Sequence, residues 1–344
     1  MSPFLERVVE VWPVGGWAGR TVLLAVSGGA DSVALLRTVA AIRPSDAAGR
    51  LVIGHFHHGL RGEAADADAK FVAALAERLG IECRVGHADV AALAAQQGDG
   101  LEAAARAGRY EFFRDAAESI GARYVVTAHT ADDQAETILH RIVRGTGLRG
   151  LRGMARARAL GPAVSLLRPL LEFRRAELRE YLEAIGQAFR EDTSNADRRY
   201  TRNRLRHDLL PLLAEQFNAN VVEALARLGQ IACQAQAVVE PLAEAAVGTS
   251  VRDDGACVIV DCEILAGCPP YVVREALTSI WRRQGWPVQA MGQREWDLVA
   301  ELIVRGAEDA RHVLPGGVHV SRARRLLRLE RGPATAERHS GKNS

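Results

Sequence analysis

In the stretch AVSGGADSV, Ala25 to Val33, an apolar run breaks into two glycines and then presents Ser27, Asp31 and Ser32 together. The run TVLLAV before it is short and rich in aliphatic residues, and ADSVALLRTVAAI after it carries apolar residues at helical spacing. The unit reads as strand, glycine turn, helix. A helix entered this way points unpaired backbone N–H groups and the positive end of its dipole at the turn, while Gly28 and Gly29 let an anion approach the backbone. Residues Ser27, Gly28, Gly29, Ala30, Asp31 and Ser32 thus form a phosphate cradle. A Walker A loop would place a lysine after its last glycine; Ala30, Asp31 and Ser32 follow here, so a nucleotide held in this loop is used differently.

A second cluster, AHTADDQAET, spans Ala128 to Thr137. Thr130 and Asp133 suit a helix N-terminus. Asp132 and Glu136 are spaced i, i+4 and Asp133 and Glu136 i, i+3, so three carboxylates crowd one turn and destabilise it unless a cation or an arginine answers them. A magnesium ion bridging phosphates, or a substrate amine, would supply that charge, and one carboxylate could take a proton from an attacking nucleophile. In HFHHGLR, His55, His57, His58 and Arg61 have no acid or cysteine at metal-ligand spacing, and half-buried, hydrogen-bonded rings are the simpler reading. Glu102, Arg106 and Arg109 share one helix face, which by itself is an ordinary charged stripe. DTSNADRRYTRNRLR gathers Arg198, Arg199, Arg202, Arg204 and Arg206 around Asn203, and guanidinium forks match the phosphates of ATP or RNA.

These clusters need positioning elements. After the first strand and helix, LVIGHFHH, IECRVGHAD and RYVVTAH read as strands, and EAADADAKFVAALAERLG, LEAAARAGRYEFFRDAAESIG and ADDQAETILHRIVRG as helices. Alternation of this kind predicts an α/β fold, a doubly wound parallel sheet with helices on both faces and its ligand at the carboxyl ends of the strands. Ser27–Ser32, His55–Arg61 and His129–Glu136 all fall at such ends. Gly145 to Met154 reads as a loop, AVSLLRPLL as a strand, and RRAELREYLEAIG and RNRLRHDLLPLLAEQ as helices. The first domain is placed at 1–216. A smaller helical and α+β domain at 217–332 ends in a hairpin around a Pro-Gly-Gly turn, and 333–344 is expected to be a disordered tail.

The 344 residues suffice for two domains, and 48% of them are hydrophobic. No run of about 18 apolar residues occurs, and Glu6 and Glu10 interrupt the first apolar stretch, so neither a membrane span nor a secretory signal is expected and the location reads as cytoplasmic. Five cysteines without a CxxC pair argue against a disulfide framework, a zinc ribbon or a cysteine-held cluster. Net charge is only +2, yet residues 141–210 hold 16 arginines against 8 acidic residues, an excess of +8. Lys70 and Lys342 are the only lysines, which explains the residue type but not the clustering. A polyanionic partner is implied.

SGGADS between a buried strand and a helix resembles the PP-loop of the ATP pyrophosphatases, which cut ATP between its α and β phosphates to adenylate a substrate. The ordered series SGGADS, HFHHGLR, EAAARAGRYEFF, TAHTADDQAET, RGTGLRGLRGM, RPLL and DTSNADRRYTRNRLR, covering most of residues 21 to 213, resembles the bacterial tRNA(Ile)-lysidine synthases. The segment LPGGVHVSRARRLLRL is more weakly similar to that family's C-terminal module. The resemblance implies ligation of free L-lysine to C2 of the wobble cytidine of a CAU-anticodon tRNA(Ile), using ATP and Mg2+ and releasing pyrophosphate and AMP. It also implies Ser27–Ser32 on the pyrophosphate end of ATP, Asp31 near Mg2+, and His129, Asp133 and Glu136 near the reacting centre. Arg109 and Arg202 would neutralise phosphate charge, and Arg144, Arg149, Arg199, Asn203 and Arg206 would contact tRNA or phosphate. A homodimer is an allowed assembly. Thr130 departs from the family, many of whose members carry a second histidine there; a capping role explains the exchange. A sulfur-inserting 2-thiocytidine synthetase is the nearest alternative but relies on paired CxxC cysteines. An amidating ligase would leave the arginine segment unexplained, and an ATP sensor would not need the three carboxylates.

Overall fold

The computed structural model describes residues 1–332 except 58, 60, 61, 89, 98, 99, 192–197, 199, 200, 256 and 307–309. The chain divides into two compact units, Met1–Ala232 and Cys233–Ser344. The division falls inside a long helix, and residues 217–232, assigned by composition to the C-terminal domain, belong to the first unit, where Val222 packs with Ala131, Leu205 and Leu210.

In the first unit the elements run α1 (Pro3–Val11), β1 (Val22–Ala25), α2 (Ala30–Ile42), β2 (Leu51–His57), α3 (Glu63–Leu79), β3 (Glu82–His87), α4 (Val90–Gln97) and α5 (Leu101–Ser119). They continue with β4 (Tyr124–Val126), α6 (Ala131–Val143), α7 (Leu148–Leu151), β5 (Ala157–Ala159), β6 (Ser165–Leu167), α8 (Arg175–Ala184), α9 (Thr201–Arg204) and α10 (Leu210–Gln216), and α11 (Val221–Ser250) leads out. The sheet order is β3-β2-β1-β4-β6-β5. The first five strands in that order are parallel, with Leu24 opposite Ile53 on one side and Val126 on the other. β5 pairs antiparallel with β6, so the sheet is mixed at one edge rather than wholly parallel. A short return strand there needs no helical crossover, and its exposed three residues carried no alternating pattern to reveal it.

Side chains of the central strands alternate between two apolar layers, as the pleat requires. Val22, Leu24, Ile53 and Val126 meet α2, α3 and α8, while Leu23, Val52, Val125 and Leu166 meet Phe113, Ala116 and Ala117 of α5. Each fully buried aliphatic side chain contributes about 1.5–3 kcal/mol. Strand order reverses at β1, which lies between β2 and β4, and this switch point opens the sheet at the carboxyl ends of β1 and β4.

The second unit carries β7 (Val251–Asp253), β8 (Val258–Asp261), α12 (Cys262–Ala266), α13 (Pro270–Arg283), α14 (Gln293–Val304), β9 (Arg311–Leu314), β10 (Val318–Ala323) and β11 (Leu326–Arg331). Its five strands, in the order β7-β8-β11-β10-β9, are antiparallel. Trp281 centres its core, with ring centroids 5.0 Å from Trp286 and 5.3 Å from Trp296. The single expected hairpin is a three-stranded meander. A second tight turn at Arg324, whose φ is +54°, escaped notice because no glycine marks it. Among the described residues no helix is long and apolar enough to cross a membrane. Residues 333–344 lie outside the described residues.

Candidate active site

The β1–α2 turn is built around one hydroxyl. Ser32 Oγ accepts the backbone N–H groups of Ser27 (3.1 Å) and Gly28 (3.2 Å) and donates to the Gly29 carbonyl (2.9 Å). Gly28 has φ +97°, a conformation that only glycine takes without strain, and its carbonyl accepts from the Arg190 N–H at 2.9 Å. Gly29 caps α2, so the free N–H end of that helix faces the turn. Asp31, in the first turn of α2, points into the same space.

Across the switch point, α6 begins at a fully buried Thr130, which forms a reciprocal cap with Asp133. The Thr130 N–H donates to Asp133 Oδ2 at 2.9 Å and the Asp133 N–H to Thr130 Oγ1 at 3.4 Å. That cap fixes one carboxylate oxygen and turns the other, Oδ1, toward the cleft. An adjoining face of α6, Ala131, Ala135 and Leu139, packs on Leu205, Leu210 and Val222 and thereby brings the 201–216 segment over the carboxylates. Within that segment the turn Leu205–Leu209 is π-helical, with the Leu210 N–H donating to the Leu205 carbonyl. Pro211 follows immediately; it has no N–H to give His207 and its ring would crowd that carbonyl, and the wider turn relieves both problems.

Three guanidinium groups converge on three carboxylates. Arg175, the first residue of α8, donates from Nε to Asp31 Oδ2 (3.2 Å), from Nη1 to Glu136 Oε1 (3.0 Å) and from Nη2 to Asp133 Oδ1 (2.5 Å). Arg202 reaches Glu136 Oε2 (3.0 Å) and Asp133 Oδ1 (3.3 Å), and Arg206 reaches Glu136 Oε1 at 2.7 Å. Asp132 separates from its neighbours: it accepts from Arg174 at 3.2 Å and from the Arg175 backbone N–H at 2.8 Å, so it caps α8. The crowding of acids foreseen in the sequence is thus answered by arginines from other helices.

The cleft holding these groups has a volume of about 930 Å3 and is lined by Ser27, Asp31, His129, Asp133, Arg109 and Asn203 among others. Burial pushes the Asp31 carboxyl up to about 6, against the pull of Arg175 and with a further push from Asp133. Burial also raises Glu136, which Arg175 and Arg202 only partly offset. At Asp133 burial acts upward too, but Arg175, Arg202 and the Thr130 N–H outweigh it, and this carboxylate is held below its usual range. Burial drives His129 down to about 3 despite the nearby Asp133, so its ring is neutral; Nδ1 lies 2.9 Å from Thr127 Oγ1. Arg109 is exposed at the cleft, and partial desolvation there together with Arg106 and Arg202 disfavours its charge. Arg106, Arg109 and Arg158 surround the Tyr110 ring at 5.1, 5.6 and 4.7 Å.

Not every anticipated residue reaches this cleft in the expected role. Arg206 lines the cleft and, like Arg202, is bonded to Glu136. Arg144 caps the end of α6 and Arg149 lies in α7, and neither is part of the lining. The stretch Gly145 to Met154, read as a loop, contains α7 and is tied to α6 by Arg141, which donates to the carbonyls of Gly150 (2.7 Å) and Gly153 (2.8 Å). Arg199, His58 and Arg61 lie outside the described residues, as does the Glu102 side chain. His55 bonds the Val26 carbonyl at 2.8 Å and His57 bonds Asp66 at 3.1 Å. Arg175 was missed. Its signal was the Arg174–Arg175 pair opening a helix, where cations oppose the dipole and so call for acids nearby.

A PP-loop domain model matches residues 7–213. A tRNA(Ile)-lysidine synthase of Rhodopirellula baltica is 36% identical over 334 residues, 87% of this chain and 84% of that protein. The chain belongs to the tRNA(Ile)-lysidine synthase family. The synthases of Deinococcus deserti and Thermus thermophilus are 43% and 42% identical over 70% of this chain. These matches span 43% and 44% of those longer relatives, less than half their length. A U34-tRNA thiolase, NcsA, from Methanococcus maripaludis shares the fold, with a TM-score of 0.54 at 14% identity over 66% of this chain and 77% of that one. The matched PP-loop domain includes Ser27–Ser32, at the mouth of the sheet described above.

Proposed function

We propose that the chain ligates L-lysine to C2 of the wobble cytidine of a CAU-anticodon tRNA(Ile) in two steps. The cytidine C2 oxygen attacks the α-phosphorus of ATP and pyrophosphate departs; the ε-amine of lysine then adds to C2, the C2–O bond breaks and AMP leaves with that oxygen. A pyrimidine carbonyl oxygen is a poor leaving group, and adenylation makes it a good one. The observation that supports this reading is the phosphate-type turn Ser27–Ser32 facing Asp133 and Glu136 across one cleft, an arrangement that suits the meeting of ATP with an amine.

In this reading the helix end at Gly29 and the turn amides hold the departing pyrophosphate. The turn's one carboxylate is Asp31, with about a quarter of its side chain exposed. A single carboxylate beside a phosphate loop is a donor set that Mg2+ accepts when nucleotide phosphates and water supply the rest. When bound, Mg2+ would neutralise phosphate charge. Asp133 and Glu136 receive the lysine ammonium, and Glu136, whose carboxyl burial raises, accepts its proton. Arg109 and Arg202 face the developing phosphate charge, and Asn203, Arg144, Arg149 and Arg199 supply polar and basic contacts for tRNA. A neutral His129 is suited to hydrogen bonding rather than to charge pairing. The substrates named are those of the cytoplasm. The test is incorporation of labelled lysine into a purified tRNA(Ile) transcript with a CAU anticodon, with ATP and Mg2+ and with methionine tRNA as control. Label in the isoleucine tRNA alone, with AMP and pyrophosphate released, is expected; pyrophosphate without label refutes lysine as the nucleophile.

A further inference from the structure

One side chain belongs to both halves of the cleft. The three nitrogens of Arg175 each meet a different carboxylate: Nε the turn residue Asp31, Nη1 Glu136 and Nη2 Asp133 of α6. The bonds of Arg202 and Arg206 to this cluster go to the two α6 carboxylates. We propose that Arg175 is a positioning residue which locks the adenylating turn and the amine-receiving carboxylates into one geometry; this rests on the two-step reading above.

The argument is one of shape as well as charge. Asp31 and the α6 pair stand on separate helices that begin at neighbouring strand ends, and like charges drive them apart. A guanidinium is planar, with donors fixed in a fork, so three bonds to three acids define the distances among those acids. An ammonium has three donors but one nitrogen, and cannot span the same three oxygens. Arg175 is itself anchored, because its backbone N–H donates to Asp132 Oδ2 at 2.8 Å and its residue opens α8. The neighbouring Arg174 bonds Asp132 and Glu223 instead, which makes it a natural control.

The experiment measures tRNA-dependent pyrophosphate release and labelled-lysine transfer, with kcat and KM for ATP and for lysine, in the full chain and in Arg175→Lys, Arg175→Gln and Arg174→Gln. Misplacement by about an ångström costs on the order of 100-fold. For Arg175→Lys, which keeps the charge, we expect pyrophosphate release at saturating ATP to fall about 10-fold or more and the KM for lysine to rise by a similar factor. Arg175→Gln should lose more in both, and Arg174→Gln should stay within about twofold of the parent. A Lys variant with both parameters unchanged, or with only one of them moved, overturns the proposal, since a charge alone or a link to one half would then suffice. Parent protein that neither releases pyrophosphate nor transfers lysine overturns the proposed function itself and this inference with it.

Discussion

Replacing Glu136 with glutamine keeps the size of the side chain and deletes one charge from a balanced set. Glu136 is 1% exposed and accepts from Arg175, Arg202 and Arg206 at 3.0, 3.0 and 2.7 Å. With Asp31 and Asp133 it makes three acids against three arginines, so the amide leaves one positive charge uncompensated. Breaking a fully buried pair costs roughly 3–5 kcal/mol. The amide nitrogen also turns donors toward arginine donors; against this, the burial that raises the Glu136 carboxyl is relieved and the arginine side chains are 21%, 36% and 23% exposed, so a net loss of about 2 kcal/mol is expected. That is a fall in Tm of about 4–8 °C for a unit of this size. The lysine ammonium would also lose a charge-assisted acceptor worth about 1.5–3 kcal/mol, or roughly 10- to 100-fold in kcat/KM for lysine. Pyrophosphate release should change less, because Glu136 reaches the β1–α2 turn only through Arg175, whose bonds to Asp31 and Asp133 the amide leaves in place. Calorimetry and the two half-reaction assays read these quantities separately. A glutamine variant as stable as the parent, or one that loses pyrophosphate release as fully as lysine transfer, would refute the charge balance or the division of labour.

Asp31 gives a pH signature in protein free of nucleotide and metal. Its folded pKa, about 6, is raised above the unfolded 3.8, so its contribution to stability is fully present below about pH 4 and is lost as pH rises to about 6. Asp31→Asn should therefore raise Tm relative to the parent more at pH 7 than at pH 4; the opposite trend contradicts the assignment. His129, depressed to about 3, should show a neutral ring in nitrogen-edited NMR spectra at pH 5, where an ordinary histidine is mostly charged. Thr130→Ala should cost about 1 kcal/mol through the lost cap, while Thr130→Ser should restore most of it; equal stability of the two variants in urea unfolding would show that the cap is idle.

The parts of the site carried on continuous elements were legible in the sequence, and the parts supplied from a distance were not. SGGADS announces a strand-to-helix turn by local chemistry alone, and its glycine at positive φ is where the chain demands it. Asp133 and Glu136 could be read as partners because residues three apart on a helix are spatial neighbours. Their counter-charges could not be assigned, since Arg175 lies 39 residues from Glu136 and Arg206 70 residues away, and sequence spacing says nothing about which of sixteen arginines a fold returns to a given acid. Thr130 shows how a local rule can explain a departure from a family pattern: its hydroxyl takes the capping position and frees Asp133 Oδ1 for the cleft. The same reasoning explains the edge strand β5 and the turn at Arg324, which lack a periodic pattern or a glycine and are imposed by the sheets they complete. An acid cluster too dense for its own helix is the sequence-level sign that such long-range partners exist: Arg174 takes Asp132, while Arg175, Arg202 and Arg206 answer Asp133 and Glu136.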